Sequence, residues 1–371
     1  MVWAEMSDPE SAPDPLAPRR NPTLIGHAAA EKLLAETQRA GRLPHAILIG
    51  GPRGIGKATL AFRFARWLLA GGGNAEASLF GQPVAQDGLQ LDPDHPVYRR
   101  AASAGHADLM TVERGWDKTR KRLRGDIVVE DVREISHFLH LTSAEGGRRV
   151  VVIDGADEMN RSAANALLKV LEEPPRGTVL LLVCHAPGRL LPTIRSRCRR
   201  LILEPLAEDE VRALIQIHEP ALPAGDAAIL ARLSGGSIGR ALDLSRAGGI
   251  DLYRRMLALL TQVPRPETAS LYQLADTLAR ADAAEAYHTF TDLLVDWLER
   301  TIGMIATGDP SEEILPGEAE LRRRIAETGR LDRWVDVWDN LRAAFARTDD
   351  LTLDRKQAIL EAFFALAAPF G

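Results

Sequence analysis

The sequence predicts an α/β fold: a parallel sheet wrapped by helices and carrying a phosphate loop, followed by a small helical domain and a larger all-helical one. Three observations predict it. Short apolar runs alternate with helical segments as far as Pro205. A glycine loop, Gly51-Pro-Arg-Gly54-Ile-Gly56-Lys57-Ala58, directly follows the first run. Beyond Pro205 the strand-like runs vanish.

Taken in order, Met1 to Arg20 is rich in Pro, Asp, Ala and Ser and reads as a flexible extension, with ordered sequence from about Asn21. Ala28 to Ala40 reads as a helix stopped by Gly41. Ala46-Ile-Leu-Ile49 is a buried strand, and Lys57 to Leu69 is the helix whose N-terminus faces the loop. Gly71-Gly-Gly73 ends that helix, and Asn74 to Asp108 reads as irregular. Ile127 to Val129 reads as extended, with Asp131 capping a helix to about Leu141. Val150-Val-Val-Ile153 is a second buried strand, ending in Asp154. Ser162 to Glu172 is a helix halted by Pro174-Pro175. Thr178 to Val183 and Leu201 to Leu203 supply further strands. Glu208 to His218, Asp226 to Leu233 and Ile238 to Arg246 read as helices, and everything from Ile250 is helical apart from a break at Pro264 and Pro266.

Composition narrows the function. A net charge of −5 supplies no general attraction to nucleic acid, so DNA contact would need a local basic patch. The only cysteines, Cys184 and Cys198, form no C-x-x-C pair, which excludes a disulfide framework and fits a reducing cytosol. No apolar run approaches the roughly 18 residues of a membrane span, and the N-terminus has no signal pattern.

The glycine loop has the spacing G-x-x-x-x-G-K-[ST], with Gly51, Gly54 and Gly56 shaping the backbone and Lys57 reaching terminal phosphates. The last position should offer a hydroxyl to Mg²⁺. Ala58 offers a methyl group, which cannot ligate a hard cation. Thr59 lies about 100° further round the helix, poorly placed to substitute. The candidate nucleotide set is therefore Gly51, Gly54, Gly56, Lys57, Thr59 and Asp154; a ligand-free glycine turn is the alternative. Asp154 ends its strand as a metal-holding carboxylate would, and equally as an ordinary buried strand might end. Gly155 follows where a water-polarising glutamate would stand, with Asp157 and Glu158 too far along to take its place. Arg197, in Ser196-Arg197-Cys198, is either a surface arginine among Arg195, Arg199 and Arg200 or a finger for a γ-phosphate. Arg114, Lys118, Arg120, Lys121, Arg122 and Arg124 make a basic stretch beside Trp116. It reads as a solvated connector in preference to a DNA-contacting loop. Cys198 reads as a small buried apolar residue.

Asn165-Ala-Leu-Leu-Lys169-Val-Leu-Glu-Glu-Pro-Pro175 and Leu191-Pro-Thr-Ile-Arg-Ser196-Arg197-Cys198 resemble the clamp-loader branch of the AAA+ ATPases. That branch holds a motor subunit, gamma/tau, and a stator-like one, delta-prime; the chain resembles the latter. The resemblance runs from about Asn21, is strongest from Arg149 to Arg199, and is only architectural after residue 250.

The resemblance implies an AAA+ domain over 21–204, a helical lid over 205–249 and a C-terminal collar over 250–371. It implies a cytoplasmic hetero-pentamer with gamma/tau and delta subunits that loads a sliding clamp onto primed DNA. It also gives Arg197 the role of a finger reaching ATP in a neighbouring motor subunit. The departures agree with a chain that does not hydrolyse ATP itself, though it could still bind it. Ala58 and Gly155 replace motor residues, Cys184-His185 occupies the sensor-1 region, and Gly239 stands where motors place a sensor-2 arginine, with Arg240 one position late. An ATP-hydrolysing gamma/tau-type motor is the alternative, and a nucleotide-gated DNA switch lacks a recognisable reading module. Clamp-loader subunits often carry a four-cysteine zinc module; Gly71 to Asp108 contains no cysteine, and His95 and His106 do not suffice, so no zinc is expected. Phe290, Leu293, Leu294, Trp297 and Leu298 recur at helical spacing and are expected to be mostly domain core.

Overall fold

The structure is a computed structural model and describes residues 17–72, 88–117, 122–145, 147–308 and 313–370. The chain forms two compact units, one up to Glu210 and one from Val211. In the first, the elements run α1 (Ala28–Arg39), β1 (Ala46–Gly50), α2 (Lys57–Leu69), α3 (Pro96–Ala102), β2 (Leu109–Val112), β3 (Trp116–Asp117), β4 (Arg122–Leu123) and α4 (Val129–His140). They continue with β5 (Arg149–Asp154), α5 (Arg161–Glu172), β6 (Thr178–Cys184), α6 (Pro192–Arg195) and β7 (Arg199–Ile202), and α7 (Glu208–His218) begins at the unit's end.

Five strands form one sheet in the order β2-β5-β6-β1-β7, with every pairing parallel. The two-residue side-chain period divides the central strands between two cores. Ala46, Leu48, Val151, Ile153, Leu180 and Leu182 pack with α4 and α5. Ile47, Ile49, Val150, Val152, Val179 and Leu181 pack with α1 and α2. The predicted central strands and helices stand within a residue or two of their expected positions.

Other expectations are corrected. β2 falls within a stretch read as irregular or unassigned; it is a sheet edge and only Val112 is buried, so no continuous apolar run marked it. α3 was likewise unread; His95 caps it, its Nδ1 accepting from the Val97 N–H, and Pro96 occupies its first turn. The basic stretch contains an antiparallel β3–β4 hairpin, while Lys118, Arg120 and Lys121 lie outside the described residues. Asp131 is not the cap of α4 but its third helical residue, where its carboxylate accepts the Val128 N–H at 3.1 Å.

Of the extension expected over 1–20, the described part is held to the fold. Arg19 is buried, and residues 19–22 are strapped to α2 by two arginines. Arg66, 1% exposed, donates to the carbonyls of Arg19 at 2.6 Å and Asn21 at 3.1 Å and lies over the Tyr98 ring. Arg63 donates to the Pro22 carbonyl at 2.6 Å and pairs with Glu31 at 2.5 Å. Tyr98 completes the strap by donating to the Arg20 carbonyl at 2.5 Å. Residues 1–16 lie outside the described residues.

The second unit is helical: α8 (Ala224–Leu233), α9 (Ile238–Arg246), α10 (Gly249–Leu260), α11 (Thr268–Leu278), α12 (Ala284–Thr307), α13 (Glu318–Glu327), α14 (Leu331–Asp350) and α15 (Arg355–Ala367). The α12 stripe of Phe290, Leu293, Leu294, Trp297 and Leu298 is buried against α10 and α14 and is core. Among the described residues no helix is long and apolar enough to cross a membrane.

Replacing Arg66 by Leu leaves the buried Arg19 carbonyl and the half-buried Asn21 carbonyl without their donor. We expect a loss of roughly 2–4 kcal/mol, read as a lower urea midpoint at unchanged slope.

Candidate nucleotide site and arginine finger

A parallel sheet aligns the carboxyl ends of its strands, so the loops after β1, β5 and β6 meet at one edge. The register pairs Gly50 with Cys184 and Asp154 with Val183, which sets the glycine loop, Asp154 and Cys184-His185 side by side. Gly51 has φ +143°, and a Cβ there would lie 2.4 Å from the Leu203 carbonyl oxygen, so the loop's first turn excludes any side chain. From the other side the strap delivers His27, whose Nε2–H donates to the Ile55 carbonyl at 2.6 Å. The loop opens directly into α2, with Lys57 first and Thr59 buried in the first turn.

Lys57 is 3% exposed and its Nζ donates to the Pro52 carbonyl of its own loop. Burial pushes its ammonium down to about 8, against the opposing pull of Asp154 and Asp157. Burial, then Glu113 and Glu158, push the Asp154 carboxyl up to about 6, with Lys57 and Arg53 pulling back. Burial, with the nearby positive charges of Lys57, Arg53 and Arg114, pushes His185 down to about 4 although Asp157 opposes this, so its ring is neutral at physiological pH.

Gly155 is left-handed at φ +83°, and a Cβ there would meet Glu158 Oε2 at 2.7 Å. Glu158 thus folds back beside the glycine, which its place in the sequence did not suggest. It is held by Arg114 at 2.9 Å and by Arg53 of the glycine loop at 3.9 Å. Arg114, read as part of a solvated connector, therefore turns toward this site. Asp157 accepts the backbone N–H groups of His185 at 2.8 Å and Ala186 at 2.9 Å. Burial alone would raise its carboxyl, but these bonds hold it below the ordinary carboxylate value. Neither acid stands free to polarise a water. The glycine loop and Lys57 fit a polyphosphate, whereas the methyl of Ala58 does not fit a metal ligand.

Arg197 touches none of these groups. It follows α6, pairs with Glu172 at 2.7 Å and donates to the Thr193 carbonyl at 3.0 Å. Its neighbour Cys198 is buried, and burial pushes that thiol up to about 11, as suits an inert core residue. In the second unit Gly239 lies within α9 and Arg240 pairs with Asp296 of α12. Among the described residues no group of three His, Cys, Asp or Glu side chains could hold a metal, with 73–87 outside that description. His95 and His106 each spend a ring nitrogen on a local backbone N–H.

A glycine loop after β1 inside a parallel sheet, an acid ending β5 two strands away at the same edge and a helical C-terminal region fit a P-loop protein of the AAA+ class. A family model described as DNA polymerase III, delta subunit, matches residues 26–207. The DNA polymerase III subunit delta' of Pseudomonas aeruginosa is 33% identical over 297 residues, spanning 79% of this chain and 82% of that protein. That of Escherichia coli K12 is 34% identical over 278 residues, 74% of this chain and 75% of that one. A gamma/tau subunit of Mycobacterium tuberculosis is 27% identical over 359 residues, 91% of this chain but 56% of its own length. The chain belongs to the delta-prime family of DNA polymerase III clamp-loader subunits.

Two outcomes follow from the site's electrostatics and backbone. A raised carboxyl lends stability below the ordinary carboxylate pKa and loses it as pH rises through about 6. Asp154→Asn should therefore gain roughly 1–3 kcal/mol over the parent near pH 7.5 and little near pH 4; urea denaturation at both values checks this. Gly155→Glu, which restores the motor sequence, should cost about 1–2 kcal/mol through the left-handed backbone. The same substitution should confer no ATP turnover on the isolated chain.

Proposed function

We propose that this chain is the non-hydrolysing member of its clamp loader and that it acts on ATP only in trans. The observation that carries this reading is the closed state of its own hydrolytic positions. Gly155 sits in a backbone conformation that disfavours any side chain, and the nearby acids are committed to arginines and backbone amides. Ala58 removes the hydroxyl a metal would need.

Gly51, Gly54, Gly56, Lys57 and Thr59 would hold ATP, where it binds, without splitting it, and Asp154 would lie beside its phosphates. Arg197, 36% exposed, would reach toward the neighbour. Its guanidinium would stabilise charge developing on a γ-phosphate held by a gamma/tau neighbour. In this reading gamma/tau and delta subunits complete a hetero-pentamer that places a sliding clamp on primed DNA in the bacterial cytoplasm. Residues 205–249 would serve as its lid and 250–371 as its collar. No zinc takes part.

The purified chain alone, with Mg²⁺ and primed DNA, should show no steady-state ATP hydrolysis. In the complex assembled with its cognate gamma/tau and delta subunits, Arg197→Ala should silence the one site it serves by roughly 10³-fold or more. Total turnover would fall by that site's share without the complex dissociating on gel filtration. Unchanged turnover would remove Arg197 from this role, and turnover by the chain alone that disappears with Lys57→Ala would make the chain a motor.

A further inference from the structure

We infer that Glu172 is the positioning residue of Arg197, holding its guanidinium ready before any neighbour's phosphate arrives; this rests on the assignment of Arg197 as the finger. Glu172 is the last residue of α5, and the proline pair Pro174-Pro175 halts the chain just beyond it. Its Oε1 lies 2.7 Å from Arg197 Nη2. The Thr193 carbonyl accepts from Arg197 Nη1 at 3.0 Å. One terminal nitrogen of the planar fork thus hydrogen-bonds to a carbonyl of α6, while the other is ion-paired with a carboxylate of α5. A plane held at both ends has one orientation. Among the described residues the Nε–H meets no acceptor, so it stays available to an incoming anion.

The backbone beneath is equally fixed. Arg197 N–H donates to the Ile194 carbonyl at 3.1 Å, Ile194 is fully buried, and Cys198 is buried on the other side. The side chain between these anchors is still 36% exposed. Among the described residues Arg195, Arg199 and Arg200 have no carboxylate so placed; of this basic cluster, Arg197 is the arginine that an acid orients. An exposed ion pair contributes little to fold stability. What it supplies here is order in a long side chain that must act at a fixed point on another protein, where a displacement of about 1 Å is enough to cost a large factor in rate.

The test is a double-mutant cycle in the assembled complex, with steady-state ATP turnover as the readout. The part of turnover lost in Arg197→Ala defines the Arg197-dependent rate. Glu172→Ala should remove at least about half of that part, in kcat with KM for ATP little changed, because the finger acts on the transition state. Glu172→Gln, which keeps an oxygen acceptor, should retain most of it. The double variant Arg197→Ala with Glu172→Ala should match Arg197→Ala alone. Glu172→Ala with parental turnover overturns the inference, and so does a double variant slower than Arg197→Ala. Either failure differs from that of the finger assignment itself, in which Arg197→Ala would already be silent.

Discussion

The site depends on one constraint: β1 is hydrogen-bonded in parallel on both sides and buried on both faces. Its neighbours β6 and β7 hold it from Ala46 to Gly50, so the chain leaves the sheet at one defined point and turns at Gly51. Because β5 is the next strand but one, Asp154 ends at the same edge. The helices are fixed to this frame in turn. α2 starts immediately after the glycine loop, and its buried Arg63 and Arg66 tie residues 19–22 across it. That strap leads into His27 over the loop. Two arginines in one helix thus position the segment that closes the loop from outside, by donating to the backbone carbonyls of Arg19, Asn21 and Pro22.

The charges near the loop follow from the same burial. Lys57 is pushed down to about 8, Asp154 up to about 6 and His185 down to about 4, each toward its neutral form. Such displacement marks a place where ions are held against their preference, as binding sites commonly hold them. The cations here nevertheless have partners within the chain: Lys57 has Pro52, while Arg53 and Arg114 have Glu158. An incoming phosphate would compete with internal acceptors already in place.

The buried frame was legible in the sequence because its signals are local. Val150 to Ile153 announces a strand by composition, Lys57 a helix start by the glycines before it, and Pro174-Pro175 a helix stop. The edge elements were not legible. β2 leaves most of its side chains only half-buried, and α3 is short enough for its signal to rest on His95 and Pro96 alone. The nucleotide set could be named from spacing, but not its state. Glu158 meets Arg114 across 44 residues and Arg53 across 105, separations at which no motif carries information. Gly155 could be read as a missing acid, yet its left-handed backbone, which makes the loss hard to reverse by substitution alone, appears only in the fold. Glu172 lay inside a recognised motif with no role, because its partner is 25 residues downstream on another element.

These arrangements separate two chemistries that a hydrolysing subunit combines. The acids near the loop are paired inward, Asp157 with the amides of His185 and Ala186 and Glu158 with Arg53 and Arg114, while Lys57 gives one of its three hydrogens to Pro52. The part that would stabilise another subunit's phosphate is partly exposed, ion-paired with Glu172 and hydrogen-bonded to Thr193. Both conditions arise from ordinary fold constraints. Burial at the sheet edge makes unpartnered ions costly and so favours internal pairing. Exposure beyond α6 makes a pair inexpensive to keep and easy for a stronger anion to share. In the proposed reading, a subunit built this way would keep a rigid interior and still offer one oriented cation to a neighbour. Changes at the chain's own loop would, in the same reading, leave Arg197 in place, since it touches none of the loop's groups.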